Sequence, residues 1–374
     1  MANLIDYLKW RGDLSFDAVP FSEIDALVLC QLSYLDFEGL LEKESFTSSV
    51  TLSDLYSKFC QTLDYERRID AGLMISKQSI DVFKLASESN RFGSVSVTGY
   101  EFILDPKKEE QFTAFTYLIK DKLSYVCYRG TDDTFVGWKE DFNLAIEDEV
   151  PAQADARRYL QTALQRLKGN FCVGGHSKGG NLAIYSVAKC PEKFLKRINL
   201  IYNFDGPGFT EKKIQSQEFY QIIPRIRSYY PQLSIVGMLF THAGEYRVVE
   251  SDPAGIMSHD PLKWHIMGAK FVTLKDFDKE TIVISDSLNS WMKKMTPEQT
   301  EIFVDTLFDI IASTGAKTNT ELEANGWLNS LKIANAIRRL DPELRHVVED
   351  VLKELFAAIR SNVSWVRKHQ KLDN

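Results

Sequence analysis

The stretch that most constrains this chain is residues 172–183, Cys172-Val173-Gly174-Gly175-His176-Ser177-Lys178-Gly179-Gly180-Asn181-Leu182-Ala183. A short apolar run at 171–174 leads into it and a helix-like run at 179–190 leads out, with four glycines crowded around one serine. Gly175 to Gly179 fit a G-x-S-x-G pattern, which a chain of this length meets by accident roughly one time in ten. Context therefore decides its meaning. A strand that turns sharply into a helix needs small residues two before and two after the apex, because a Cβ there would collide across the turn. Gly175 and Gly179 supply them. Ser177 then sits at the apex as a candidate nucleophile, and the Lys178 N–H, at the helix start, faces the place where an oxyanion would form. The plainer reading is a glycine-rich connection that happens to hold a serine.

A strand–turn–helix unit belongs in an alternating sheet, and the flanking sequence alternates. Residues 111–120 and 122–128 read as strands across a short polar turn, 152–168 as a helix, 197–205 as a strand, and 226–230 and 245–250 as further strands. Such alternation predicts an α/β fold with a mostly parallel sheet flanked by helices. Before it, residues 22–33 open on a serine cap and carry apolar residues at helical spacing; 53–62 and 67–88 also read as helical. Residues 92–104 change to strand period. After 285 the pattern becomes amphipathic helix, at 297–312, 318–337 and 342–368, broken by polar turns. The expected organisation is an N-terminal helical lead over 1–91, an α/β core over 92–284 and a C-terminal helical segment over 285–374. Charged faces on the last segment read as solvated faces.

Composition bounds the partners. The 374 residues are 44% hydrophobic and 26% charged, ordinary for a globular chain. A net charge of −7 gives no general basic field for nucleic acid. Cys30, Cys60, Cys127, Cys172 and Cys190 are odd in number and dispersed; they read as buried free thiols, without metal spacing or a disulfide framework. The polar N-terminus has no signal-like apolar region, and no apolar run approaches ~18 residues, so a cytoplasmic location is expected. No metal or organic cofactor is expected.

Upstream of the serine, the 125–128 strand ends in Arg129-Gly130-Thr131, followed by Trp138 and Asp141. Strand-R-G-T, then W-x-x-D, then a helix, then strand-G-H-S-x-G-G resembles the fungal-type (class 3) lipase group of α/β-hydrolases. That resemblance implies that Thr131 helps hold an oxyanion together with Lys178, and that Arg129 and Asp141 pair to brace the loop. The motifs N-F-D-G-P-G-F at 203–209, S-I-V-G-M-L at 234–239 and S-H-D-x-x-x-W at 258–264 also resemble a lipase-like family of Gram-positive bacteria, over nearly the whole chain. That family's substrate is unassigned.

A serine hydroxyl needs a base and an acid to orient it. The order serine, acid, histidine of α/β-hydrolases sets His176 aside as the base. His259, in a loop after the 245–250 strand, is the favoured base; His242 and His265 are alternatives, and His346 and His369 lie in the helical tail. Asp205 ends the strand after the nucleophile helix and precedes Gly206-Pro207-Gly208, which places it to face the site. Asp252 and Asp260 are its alternatives. Fungal-type lipases take their acid one strand later, where this chain reads Tyr229-Tyr230-Pro231-Gln232-Leu233-Ser234 without a carboxylate; vertebrate pancreatic lipases use the earlier strand. Residues 211–230 and 237–244 read either as a lid over an acyl pocket or as packed insertions.

The expected function is a serine hydrolase acting on a small acyl or lipid-like ester, with Ser177, His259 and Asp205 catalytic. The alternative is a silent α/β-hydrolase scaffold that binds a ligand or partner. Amidase chemistry would use the same residues. Transient membrane-surface contact and oligomeric state stay open.

Overall fold

The computed structural model describes residues 1–70, 75–120, 122–132, 134–144, 147–234, 236–252, 255–278, 326–340, 342, 345 and 346, with scattered positions between 281 and 315. Its frame is a nine-stranded sheet in the order β1-β2-β3-β4-β5-β6-β7-β8-β11. The strands are β1 (Val50–Thr51), β2 (Ser96–Asp105), β3 (Glu110–Ile119), β4 (Leu123–Tyr128), β5 (Asn170–His176), β6 (Ile198–Phe204), β7 (Ile226–Pro231), β8 (Tyr246–Val249) and β11 (Thr273–Leu274). A two-residue pair, β9 (Ile266–Met267) and β10 (Lys270–Phe271), stands apart. From β4 to β8 every neighbour is parallel. The flanks are antiparallel: β1 to β4 on one side and β11 on the other. The α/β architecture expected from the alternation is present, with its parallel strands at the centre.

Both faces of that centre are covered, which is why its strands read as nearly continuous apolar runs. Side chains alternate along each strand between two cores. Tyr125 and Cys127 of β4, Cys172 of β5, and Tyr202 and Phe204 of β6 join the core beneath the N-terminal helices. These are α1 (Leu4–Arg11), α2 (Glu23–Leu32), α3 (Leu52–Phe59), α4 (Tyr65–Arg68) and α5 (Ser79–Glu88). Val126, Tyr128, Phe171, Val173 and Ile201 face the opposite core, under α7 (Pro151–Arg166) and α8 (Lys178–Ala188). Between β4 and α7 lies α6 (Phe135–Asn143).

Local chemistry starts α2 where the sequence predicts. Ser22 caps α2 with its side chain on the Asp25 N–H, and Asp25 returns the bond to the Ser22 backbone. The helical period read over 67–88 is instead two pieces, α4 and α5, and Asp64 pins α4 through Arg68 at 2.6 Å. Of the cysteines, Cys60 is exposed, against the expectation of burial: it follows the last turn of α3, whose apolar side is met by Leu52, Leu55 and Phe59.

The lead is locked on by a buried ion pair. Arg91 grips Asp25 with two nitrogens at 2.7 and 2.6 Å, and Tyr7 donates to the same carboxylate at 2.8 Å. Arg91 also donates to the carbonyls of Leu14, Val19 and Pro20, which satisfies its remaining donors in a dry setting. Among the described residues no helix is long and apolar enough to cross a membrane. Of the C-terminal helical segment, a helix over Gly326–Arg339 is described, within the 318–337 pattern; residues 316–325, most of the 342–368 pattern and more than half of the 297–312 pattern lie outside the described residues.

Candidate active site

The loop between β5 and α8 is a single-residue apex. Ser177 has φ 58 and ψ −134, a conformation L-residues rarely adopt and one that costs about 1–3 kcal/mol. Surrounding contacts hold it there. Its N–H donates to the Phe204 carbonyl at 2.9 Å, and its carbonyl accepts from the Gly180 N–H at 2.8 Å. The two flanking glycines close on each other: a Cβ on Gly175 would lie 2.3 Å from the Gly179 carbonyl, and one on Gly179 would lie 2.1 Å from the Tyr128 carbonyl. No side chain fits at either position, as the turn required. Lys178 opens α8, so its N–H has no intrahelical partner.

The Arg129–Thr131 turn backs directly onto this apex. A Cβ added to Gly130 would sit 2.8 Å from Ser177 Cβ and 2.6 Å from the His176 carbonyl. Thr131 donates its hydroxyl to Asp141 Oδ2 at 2.5 Å. The expected Arg129–Asp141 brace is not what forms: Arg129 pairs with Asp132 at 3.1 Å, three residues along the same turn, which leaves Asp141 to Thr131. Asp141 Oδ1 is buried without a hydrogen-bond partner among the described residues. Burial lifts Asp141 from 3.8 to about 6, with the Lys178 charge and the Thr131 hydroxyl pulling the other way.

Lys178 points away from the serine hydroxyl. Its ammonium is buried against Glu140 at 2.8 Å and the Gln111 carbonyl at 2.8 Å. The other Glu140 oxygen accepts from the Ala152 N–H at the start of α7. The side chain thus ties α8, α6, β3 and α7 together under the turn, while the backbone N–H stays at the apex.

Asp205 and His259 meet. His259 Nδ1 lies 2.6 Å from Asp205 Oδ2. Asp205 ends β6 with φ 52, a left-handed conformation that aspartate tolerates better than most residues. Its N–H is held by the Tyr229 carbonyl at 2.9 Å, and Ser234 donates to its other oxygen. Just past β7, where the sequence offers no carboxylate, this chain places the Ser234 hydroxyl on Asp205. His259 closes a short 3-10 turn, Gly255–His259, anchored by Trp264 Nε1 on the Ser258 carbonyl at 2.9 Å. Its ring stacks obliquely on that of His176, centroids 4.4 Å apart, so it lies beside the residue preceding Ser177. With Nδ1 occupied by the carboxylate, Nε2 is the nitrogen left for proton transfer.

The alternative residues are engaged elsewhere. His242 takes Tyr230 as its partner at 2.8 Å, and burial lowers it from 6.5 to about 4. His265 sits between Asp252 at 2.9 Å and Glu250 at 3.5 Å. Asp260 accepts from the backbone N–H groups of Ser76 and Leu262, each at 3.1 Å. The two candidate lid segments are packed: Phe219 and Ile222 are buried in the α7–α8 core. The Phe209 and Thr241 backbones pair at 2.8 and 3.0 Å. Tyr34, whose hydroxyl lies 2.7 Å from His176 Nδ1, and Glu140 adjoin the site residues without any mark in the sequence; His176, set aside as the base, and Ser234, within the 234–239 motif, adjoin them too.

A family model described as Mbeg1-like matches residues 86–309. No curated protein matches. Solved structures that are similar include a triacylglycerol lipase from Penicillium expansum, 10% identical over 50% of this chain and 76% of that one, TM-score 0.33. The M37 lipase is 15% identical over 59% of this chain and 70% of its own, TM-score 0.35. The Rhizomucor miehei lipase is 14% identical over 67% and 81%, TM-score 0.32.

Proposed function

The chain belongs to the Mbeg1-like family, and on that footing we propose that it is a serine ester hydrolase acting on an acyl or lipid-like substrate. The observation that carries the reading is the Asp205–His259 pair at 2.6 Å, with the His259 ring set against the residue before a serine at φ 58. The carboxylate holds the imidazole in the tautomer that carries its proton on Nδ1, so Nε2 is free to act as base. Ser177 Oγ attacks the ester carbonyl and gives its proton to His259. The Lys178 and Thr131 N–H groups hold the oxyanion. The tetrahedral intermediate then collapses, the C–O bond to the alcohol breaks, and His259 returns the proton to the leaving oxygen. Water, activated by the same histidine, releases the acid from Ser177.

Thr131 suits that part because its hydroxyl is fixed on Asp141, in the turn whose Gly130 backs onto Ser177. The Lys178 side chain, turned into its buried pair, does not compete for that space.

Turnover of short- and medium-chain p-nitrophenyl esters tests the proposal. Ser177→Ala is expected to lower kcat by roughly 10⁴- to 10⁶-fold with the fold intact. Undiminished hydrolysis by that variant overturns it.

A further inference from the structure

The N-terminal lead reaches the nucleophile turn. Tyr34, two residues beyond α2 and well before the matched segment, puts its hydroxyl 2.7 Å from His176 Nδ1. The other His176 nitrogen, Nε2, lies 2.8 Å from the main-chain carbonyl of His259. A carbonyl can only accept, so Nε2 carries the proton. Nδ1 is then the acceptor, and the Tyr34 O–H is its donor. Every member of the chain Tyr34 → His176 → His259 is buried, and the direction of each bond is fixed. Burial holds both side chains in the forms this needs: it raises Tyr34 far above its ordinary value, keeping the O–H, and lowers His176, keeping the ring neutral.

Three more hydrogen bonds tie the lead to the His259 loop. The Ser76 N–H donates to Asp260, Asn3 Nδ2 to the Leu262 carbonyl, and the Ile266 N–H to the Ala2 carbonyl. The loop that delivers the histidine is therefore held by residues 2–76 as well as by the sheet.

We propose that Tyr34 and His176 are positioning residues: they set the His259 main chain, and through it the placement of the imidazole beside the nucleophile turn. The inference rests on the reading of His259 as the base. Asp205 fixes the ring's tautomer and direction at Nδ1, whereas the backbone clamp fixes where the ring starts. A displacement of about 1 Å at a reacting group costs up to ~10²-fold in rate. The lead thus completes the site instead of merely covering the sheet.

The test is Tyr34→Phe, which removes one hydroxyl and keeps the ring. The expected result is a kcat lower by roughly 10- to 100-fold on p-nitrophenyl esters, with KM changed less than about twofold. A second readout does not depend on turnover. The Nδ1 proton of His259, held on Asp205, gives a downfield NMR resonance, which Tyr34→Phe should shift and broaden. His176→Phe should do the same more strongly, and His176→Gln, which can still offer an N–H to the His259 carbonyl, should restore part of both signals. If the wild type hydrolyses no ester, the reading of the base fails, but the resonance still decides the clamp. A Tyr34→Phe protein whose kcat and downfield resonance both match the wild type overturns the proposal.

Discussion

At the scale of single residues, Lys178 divides its work between two ends. Its N–H belongs to the turn, while its ammonium is buried with Glu140, both side chains at 0% exposure. Breaking such a pair strands the surviving charge and costs about 3–5 kcal/mol. Lys178→Met should lose about that much stability in urea, and adding Glu140→Gln should recover much of it; additive losses would contradict the pairing. Titration is also legible residue by residue. Asp141 rises from 3.8 to about 6, so between those values the folded chain holds a proton the unfolded chain releases, and stability from this group falls as pH rises through the window. His242 drops from 6.5 to about 4, so its contribution is full above 6.5 and lost as pH falls toward 4. The two oppose each other near pH 5. Asp141→Asn should therefore make the loss of stability from pH 7 to pH 5 steeper than in the wild type; an unchanged slope would show that Asp141 titrates normally. In the sequence, Ser177, His259 and Asp205 were readable as candidates because motif, loop and strand-end position each leave a local mark. Glu140 and Ser234 were not, since their partners lie 38 and 29 residues away and no periodicity connects them.

At the scale of elements, the turn between β5 and α8 is the least forgiving piece. A Cβ at Gly179 meets the main chain of β4, which cannot rotate aside as a side chain would. Gly179→Ala should destabilise by about 1–3 kcal/mol or more through displaced backbone, and thermal unfolding should show it; a neutral substitution would mean that the turn is looser than described. The strands and helices here were legible in the sequence because each carries a short-range pattern: a period of 2 in β2 and β3, of 3.6 in α7, and a short apolar run in β5 and β6. What escaped was set by contacts between elements. The antiparallel pairing of β2 to β4 follows from their short connections, yet the sheet as a whole reads as alternating strand and helix. The single helix read over 67–88 failed because α4 ends where Arg68 is drawn to Asp64 and to the Asp36 and Glu38 carbonyls.

At the scale of the whole molecule, hydrogen bonds join the lead to the nucleophile turn and to the His259 loop. Arg91 stands at the junction of lead and sheet, paired with the Asp25 carboxylate that Tyr7 also holds and donating to four carbonyls. Arg91→Met leaves Asp25 charged and buried, and should cost about 3–5 kcal/mol in denaturant unfolding. Because the lead also clamps the His259 loop, activity per folded molecule should fall with it. Stability lost without any change in kcat would separate lead from site. The change of period near residue 91 falls between the end of α5 and the start of β2, but helical spacing, which shows that α2 has an apolar face, says nothing of Tyr34 reaching the turn 142 residues later. The most direct measurement of the central claim is covalent labelling by a fluorophosphonate, mapped by mass spectrometry of the digested protein. One adduct is expected, on Ser177, that vanishes in Ser177→Ala and slows sharply in Asp205→Asn. An unlabelled wild type, or an adduct that persists when Ser177 is alanine, would contradict it.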